Sequence, residues 1–260
     1  GISGACNHRC SFCAFEYLEY RPVFLDKQIL LENISDISHK GLKSILIAGF
    51  GEPMLHKEAA EIMHEIKNMG IDVALSTNGA LFSSAKQELC LRDLSWVRFS
   101  VASPIDATYE KIHQCKGGEL RKVIENIQYA VNKKEREKLQ TTLGIQMVLL
   151  PQNIGEVPEM ARLGMELGID YVSIKPFNQG HKIEGSEIEG RVIEEIYEKA
   201  KEYETDKFKV MMRKNLIDQH KMEHPAYDQC GMLEFFCIIN ADGSVIPCTV
   251  FPGLDEFVYG

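Results

Sequence analysis

Short β-branched runs alternate with longer amphipathic segments along this chain, and that alternation restricts its fold more than any other feature. Residues 44–48, 72–77, 96–100, 143–150 and 171–175 read as strands. Residues 26–38, 57–69, a segment from about Ser83, 106–131 with a break at Gly117-Gly118, 156–167 and 187–203 read as helices. In the first helix Ile29, Leu30, Ile34 and Ile37 are spaced for one apolar face, and Gly70 stands where a left-handed cap would end the second. Counting a strand leading into the cysteine loop described next, the chain holds six strand–helix units. Strands that read as continuous apolar runs between helices form a parallel sheet with helical cover. Right-handed crossovers then collect every strand's C-terminal end on one face, where such folds bind ligands. Six units are too few to close an eightfold barrel, so the expected fold is α/β, a partial (β/α)6 TIM-like barrel.

At the start of the chain stand Cys6, Cys10 and Cys13, spaced C-x3-C-x2-C. Iron–sulfur clusters are held by cysteine thiolates, and a cubane takes four, so three in one loop leave one iron open for chemistry. Two plainer readings compete. His8 could complete a Cys3His zinc site, although its place between two of the cysteines makes a tetrahedral arrangement cramped. The cysteines could also be small apolar residues, against which Asn7, His8, Arg9 and Ser11 argue. Gly49-Phe50-Gly51-Glu52-Pro53 directly follows a strand; glycine there lets a ligand approach the backbone, and a carboxylate can accept from an ammonium group. Ser76-Thr77-Asn78-Gly79 ends the next strand and is also an ordinary turn sequence.

The cysteine spacing, with Phe12 just before the last cysteine, resembles the signature of the radical S-adenosylmethionine (SAM) enzymes. Gly51-Glu52-Pro53 resembles that family's Gly-Gly-Glu-Pro motif, with Phe50 in place of its first glycine. The segment around Ser100 and Thr108-Tyr109-Glu110 is similar to another family segment, with Ala102 where aspartate is usual. The resemblance implies a [4Fe-4S] cluster on Cys6, Cys10 and Cys13 that binds SAM and cleaves it to a 5′-deoxyadenosyl radical. It further implies that Gly51 and Glu52 hold the methionyl amino group, that Phe12 lies near the adenine, and that Asn78 and Ser100 face the cofactor. The last strand ends in Lys175-Pro176-Phe177-Asn178-Gln179-Gly180-His181, donor-rich residues that suit a hydroxylated or carboxylated substrate or a solvated loop. Lys175 and His181 are therefore candidates for acting on substrate.

Beyond the helix at 187–203 the period changes. Residues 208–212 read as an edge strand of an appendage, and 230–248 as a β-hairpin turning at Asn240-Ala241-Asp242-Gly243. The placing of Cys230 and Cys248 about this hairpin resembles the opening of the SPASM/Twitch extension carried by one radical SAM branch, which implies an auxiliary cluster. The expected division is 1–205 for the barrel and 206–260 for an extension that looks truncated. Cys237 reads as a strand residue packing inward, with a third ligand or a thiol hydrogen donor as alternatives. Cys90 and Cys115 read as packing residues. The expected activity is that of an oxidoreductase acting on a small polyhydroxylated or amino-bearing molecule, such as a sugar or aminocyclitol, with a reducing electron donor as partner. A peptide-modifying enzyme and a non-catalytic metal-binding module are the alternatives. A formal net charge of −9 argues against a broad nucleic-acid surface, though not against a local basic groove. No long apolar run or signal segment is visible, which with the free-looking cysteines suggests a cytoplasmic protein.

Overall fold

The computed structural model describes residues 1–13, 22–177, 188–213, 229–248 and 254–260. Its elements in chain order are α1 Lys27–Ser38, β1 Ser44–Ile47, α2 Ala59–Asn68, β2 Asp72–Thr77, α3 Ser84–Cys90 and β3 Leu94–Ser100. There follow α4 Asp106–His113, α5 Glu119–Glu137, β4 Thr142–Leu149, α6 Val157–Leu167, β5 Tyr171–Pro176, α7 Gly190–Lys201 and β6 Lys209–Met212. A short hairpin, β7 Ile238–Ile239 and β8 Val245–Ile246, lies near the end. The six long strands pair in parallel in the order β1-β2-β3-β4-β5-β6, and among the described residues β1 and β6 are not paired with each other. This is the open, partial barrel expected from the alternation.

The sixth strand is not the expected one. Residues 1–5 contribute only an isolated bridge, Ser3 to Phe24, rather than a strand. Residues 209–212, assigned by sequence to the appendage, instead pair parallel with β5 and finish the sheet, so the sheet runs past the 205/206 boundary. The run was too short to betray its partner. β1 also departs from the buried strand expected, because it is the edge: only Ile47 is buried, and Leu46 is exposed.

Side-chain alternation gives the sheet two unlike faces. Val97, Phe99, Leu143, Ile145, Val172 and Ile174 are fully buried in the main core. Their face is the helical one: a methyl on Gly164 of α6 would lie 2.7 Å from Val172, and one on Gly79 would lie 3.1 Å from Val123 of α5 and 3.0 Å from Phe99. The opposite, concave face carries Ser76, Arg98, Gly144, Tyr171 and Lys209 in one cross-strand row, and Ser100, Gln146, Ser173 and Met211 in the next. Gly144 is glycine because the Tyr171 ring covers it, with no room for a side chain.

Helix ends mostly follow the sequence. Asp26 caps α1 by accepting from Ile29 N–H at 3.0 Å, and Gly70 takes φ +80° after α2. In α1, however, the buried stripe is Leu30, Leu31 and Ile34, while Ile29 and Ile37 are exposed. Leu31 was absent from the expected face because two adjacent leucines fit either side of a stripe about 100° wide.

Candidate active site at the cysteine loop

The loop holding Cys6, Cys10 and Cys13 is clamped at the C-terminal ends of β2 and β3. Arg9 N–H donates to the His113 carbonyl at 3.0 Å and Ser11 N–H to the Ile112 carbonyl at 2.8 Å, so the last turn of α4 supplies carbonyls to the loop. On the other side Asn78, at the end of β2, donates through Nδ2 to Asn7 Oδ1 at 2.8 Å. Within the loop Cys13 N–H donates to the Cys10 carbonyl at 2.9 Å, and Arg9 Nη1 donates to the carbonyls of Cys6 and His8.

All three thiols are half-buried. Burial pushes Cys6 up to about 11, helped by the charges of Glu52 and Cys13, and it pushes Cys10 well above the ordinary thiol range. Thiols in such a place become thiolates only against a bound cation. Two of the sulfurs also receive N–H groups: His8 N–H stands 3.4 Å from Cys6 Sγ, and His113 Nδ1 lies 3.1 Å from Cys10 Sγ. The tautomer of His113 follows from its other nitrogen. Nε2 faces the backbone N–H of Ala102 at 3.1 Å and must accept, so the proton sits on Nδ1 and points at the Cys10 sulfur. Burial holds His113 neutral, its pKa pulled down to about 3.

Glu52 is 2% exposed and its oxygens are already engaged. Oε1 accepts from Thr77 Oγ1 at 2.6 Å and Met54 N–H at 3.0 Å, and Oε2 accepts from Asn78 N–H at 2.7 Å. Burial raises its pKa and these donors oppose the rise. In the structure, then, Glu52 fixes the Asn78 turn, which in turn grips the cysteine loop. The backbone alone requires glycine at position 51: a methyl there would stand 2.2 Å from the Ser3 carbonyl oxygen and 2.6 Å from that of Ala5, whose carbonyl also accepts Glu52 N–H at 2.7 Å.

Phe12 meets His113 edge-on at 6.0 Å and joins an apolar cluster of Ala102, Ile112, Leu150 and Phe177 at the mouth of the sheet. Ser100 ends β3 on the concave face, and Lys175 lies half-buried on the same face of β5. His181 lies outside the described residues. The C-terminal cysteines contrast with these: Cys230 and Cys237 are exposed and Cys248 is half-buried. Cys237 therefore does not pack inward; it precedes β7, outside the two-residue strand. Cys90 is buried in the core and Cys115 packs against it, both as expected, and Cys115 also comes together with His8 and Glu119. His8 does not group with all three cysteines; its ring turns toward Glu119, Nε2 to Oε2 3.1 Å. The Cys3His zinc set, the alternative reading of this loop, is thus not brought together: His8 groups with Cys10 and His113, and with Cys115 and Glu119. His113 was missed by sequence reading, though Tyr109, Ile112 and His113 share the buried stripe of α4.

Residues 2–164 match the family described as the radical SAM superfamily. The chain belongs to that family. Its members bind a [4Fe-4S] cluster together with SAM, and the donor set fits: three half-buried thiols in one loop, two with N–H groups at sulfur, beside an apolar surface able to take an adenine. Among curated relatives, a probable GTP 3′,8-cyclase of Methanocaldococcus jannaschii is 28% identical over 232 residues, covering 85% of this radical SAM protein and 73% of the relative. A tungsten-containing aldehyde ferredoxin oxidoreductase cofactor-modifying protein of Pyrococcus furiosus is 27% identical over 182 residues, covering 66% of this chain and 49% of that one. Streptococcus suis SuiB bound to S-adenosylmethionine superposes with a TM-score of 0.74 at 16% identity, over 99% of this chain and 61% of SuiB. The protein anSMEcpe with bound AdoMet and a peptide superposes at 0.67 and 18% identity, over 100% of this chain and 75% of that structure. These structures share the fold. Among the described residues no helix is long and apolar enough to cross a membrane.

Proposed function

We propose that the protein is a radical SAM oxidoreductase that removes a hydrogen atom from a small polar molecule seated on the concave face of its sheet. The cluster on Cys6, Cys10 and Cys13, once reduced by an electron donor, would supply the electron that cleaves SAM to a 5′-deoxyadenosyl radical. The chain's own residues prepare the place. Gly51 and the carbonyls beside it would receive the methionyl amino group, with Glu52 and Asn78 keeping that turn against the cysteine loop. Phe12 and its apolar neighbours would cover the adenine, and Ser100 lies where it could meet the ribose or the carboxylate. Supporting a small polar substrate above all is the composition of the concave face, where Ser76, Arg98, Ser100, Gln146, Ser173 and Lys175 present donors and acceptors inside the sheet. A nucleotide-acting relative agrees with that character. On this reading Cys230 and Cys248 would bind an auxiliary cluster that takes the second electron of a two-electron oxidation.

One observation favours a peptide substrate instead. Met232, Leu233, Phe235 and Phe236 are exposed, Phe235 by 84%, next to Cys237. Exposed apolar residues in a row mark a surface that meets another chain. The two readings part in one assay: reduced, reconstituted protein with SAM is offered nucleotides, sugars, aminocyclitols and peptides, and 5′-deoxyadenosine is counted. Stimulation by a small molecule supports the first reading. Stimulation by peptides alone would replace it with the second.

A further inference from the structure

On the concave face two half-buried cations, Arg98 and Lys175, have no ion-pair partner among the described residues, and a third, the exposed Arg213, stands beside them. Arg98 lies in the row below Ser100, and Lys175 lies one row above Ser173. Arg213 follows β6, its N–H bonded to the Ile174 carbonyl at 3.2 Å, which places it beside Lys175. Buried or half-buried charges are normally paired, because taking a charge out of water costs several kcal/mol. Burial lowers the Lys175 pKa, and among the described residues the charges it feels, Arg213 and Arg98, are both of its own sign and lower it further. Arg98 feels Arg213 and the Tyr171 hydroxyl, and burial lowers its pKa too. Among the described residues the Arg98 Nε is buried with no hydrogen-bond partner.

The chain as a whole carries a formal charge of −9, so three like charges collected on one face run against its average. Acidic side chains are the expected remedy, yet among the described residues the one acid at an inward position of the sheet, Asp72, sits at the far end of β2 and pairs with Lys67 at 2.9 Å. The Arg98 guanidinium is also oriented: it lies over the Trp96 ring, 5.3 Å from its centroid. A planar, fixed fork of donors suits a carboxylate or phosphate held by two hydrogen bonds.

We propose that Arg98, Lys175 and Arg213 bind an anionic group of the substrate, a phosphate or a carboxylate, on the concave face of the sheet. This rests on the reading of that face as the substrate site and adds the charge class of what occupies it. Arg98 is its deepest contact, and Lys175 and Arg213 close over the anion from the strand ends.

The test is calorimetric titration of the reconstituted full chain, followed in parallel by the fluorescence of Trp96, the chain's one tryptophan. Inorganic pyrophosphate and GTP probe the phosphate arm; succinate and a short peptide with a free C-terminus probe the carboxylate arm. At least one arm is expected to bind, with affinity falling as salt rises and weakened about tenfold or more in Arg98→Met, as loss of a charged hydrogen-bond donor implies. Arg98→Lys is expected to recover part of that loss. If Arg98→Met does not fold, Lys175→Met and Arg213→Met carry the same expectation of a clear drop in affinity. No binding by any of the four probes, or equal affinity in wild type and variants, overturns the proposal. Failure of the functional reading shows separately, as wild-type protein that holds iron and sulfide yet never cleaves SAM.

Discussion

The two groups of cysteines sit in opposite surroundings, and the contrast shows what a prepared metal site requires. Around Cys6, Cys10 and Cys13 the chain supplies hydrogen bonds from three directions: the last turn of α4, the Asn78 turn, and the loop itself. The sulfurs are half-buried and two receive N–H groups before any metal arrives. Around Cys230, Cys237 and Cys248 the framework is a two-stranded hairpin of two residues per strand, and two of the three thiols are exposed. A hairpin that small is marginal by itself. It leans on the rest of the molecule through Ile239, which packs against the core, and through Val245 N–H bonded to the Gly260 carbonyl at 2.7 Å. The first site is built by tertiary structure, whereas the second would need a bound metal to complete it.

The largest expected difference lies in the cysteines themselves. Cys10→Ala is expected to abolish SAM cleavage and to remove about four iron atoms per chain, the content of one cubane. Cys230→Ala with Cys248→Ala is expected to leave the EPR signal of the reduced, SAM-binding cluster in place while lowering iron content. Equal loss from either pair would erase the comparison.

Next comes Glu52. Glu52→Ala leaves the Thr77 hydroxyl and the N–H groups of Met54 and Asn78 without their acceptor in a buried place, at roughly 1–3 kcal/mol each. Urea unfolding should show a loss of several kcal/mol, and the N-terminal cluster should assemble poorly.

His113 gives the contrast a pH dependence. Its folded pKa of about 3 lies below its ordinary 6.5, so the stability it contributes is present above pH 6.5 and is lost as pH falls toward 3, at about 1.4 kcal/mol per unit. His113→Phe apoprotein should therefore lose less stability between pH 7 and pH 4 than wild type, as read from urea midpoints. An acid limb of unchanged slope would show that the imidazole is not held neutral. In the reconstituted protein the same change removes the N–H at Cys10 Sγ, and the cluster's reduction potential should fall, since hydrogen bonds to sulfur favour the reduced form.

The smallest contrast compares two glycines. Gly51→Ala drives a methyl into two carbonyl oxygens and should cost about 3 kcal/mol or more, beyond ordinary overpacking. Gly243→Ala in the hairpin turn meets nothing within 4 Å and pays only for φ +90°, about 1 kcal/mol. Thermal unfolding of the two variants ranks them.

What could be read in advance was what depends on near neighbours. Gly70 as a stop, the Asp242-Gly243 turn and the C-x3-C-x2-C spacing are local, and each stands where expected. The parallel order of the strands followed from alternation alone. Hidden were pairings between distant residues: Cys10 with His113, Asn7 with Asn78, His8 with Glu119. Spacing along the chain carries no trace of such contacts, and for that reason the bonds by which Glu52 holds the Asn78 turn were not legible in advance. β6 was misassigned on the same ground, because four residues identify a strand but not its neighbour.

The most direct test is anaerobic reconstitution of the full chain with iron and sulfide, followed by reduction in the presence of SAM. Brown protein whose reduced EPR spectrum changes on adding SAM, with 5′-deoxyadenosine released and both lost in Cys10→Ala, is the predicted result. Colourless protein that holds zinc on Cys6, Cys10 and Cys13 and leaves SAM intact would contradict it.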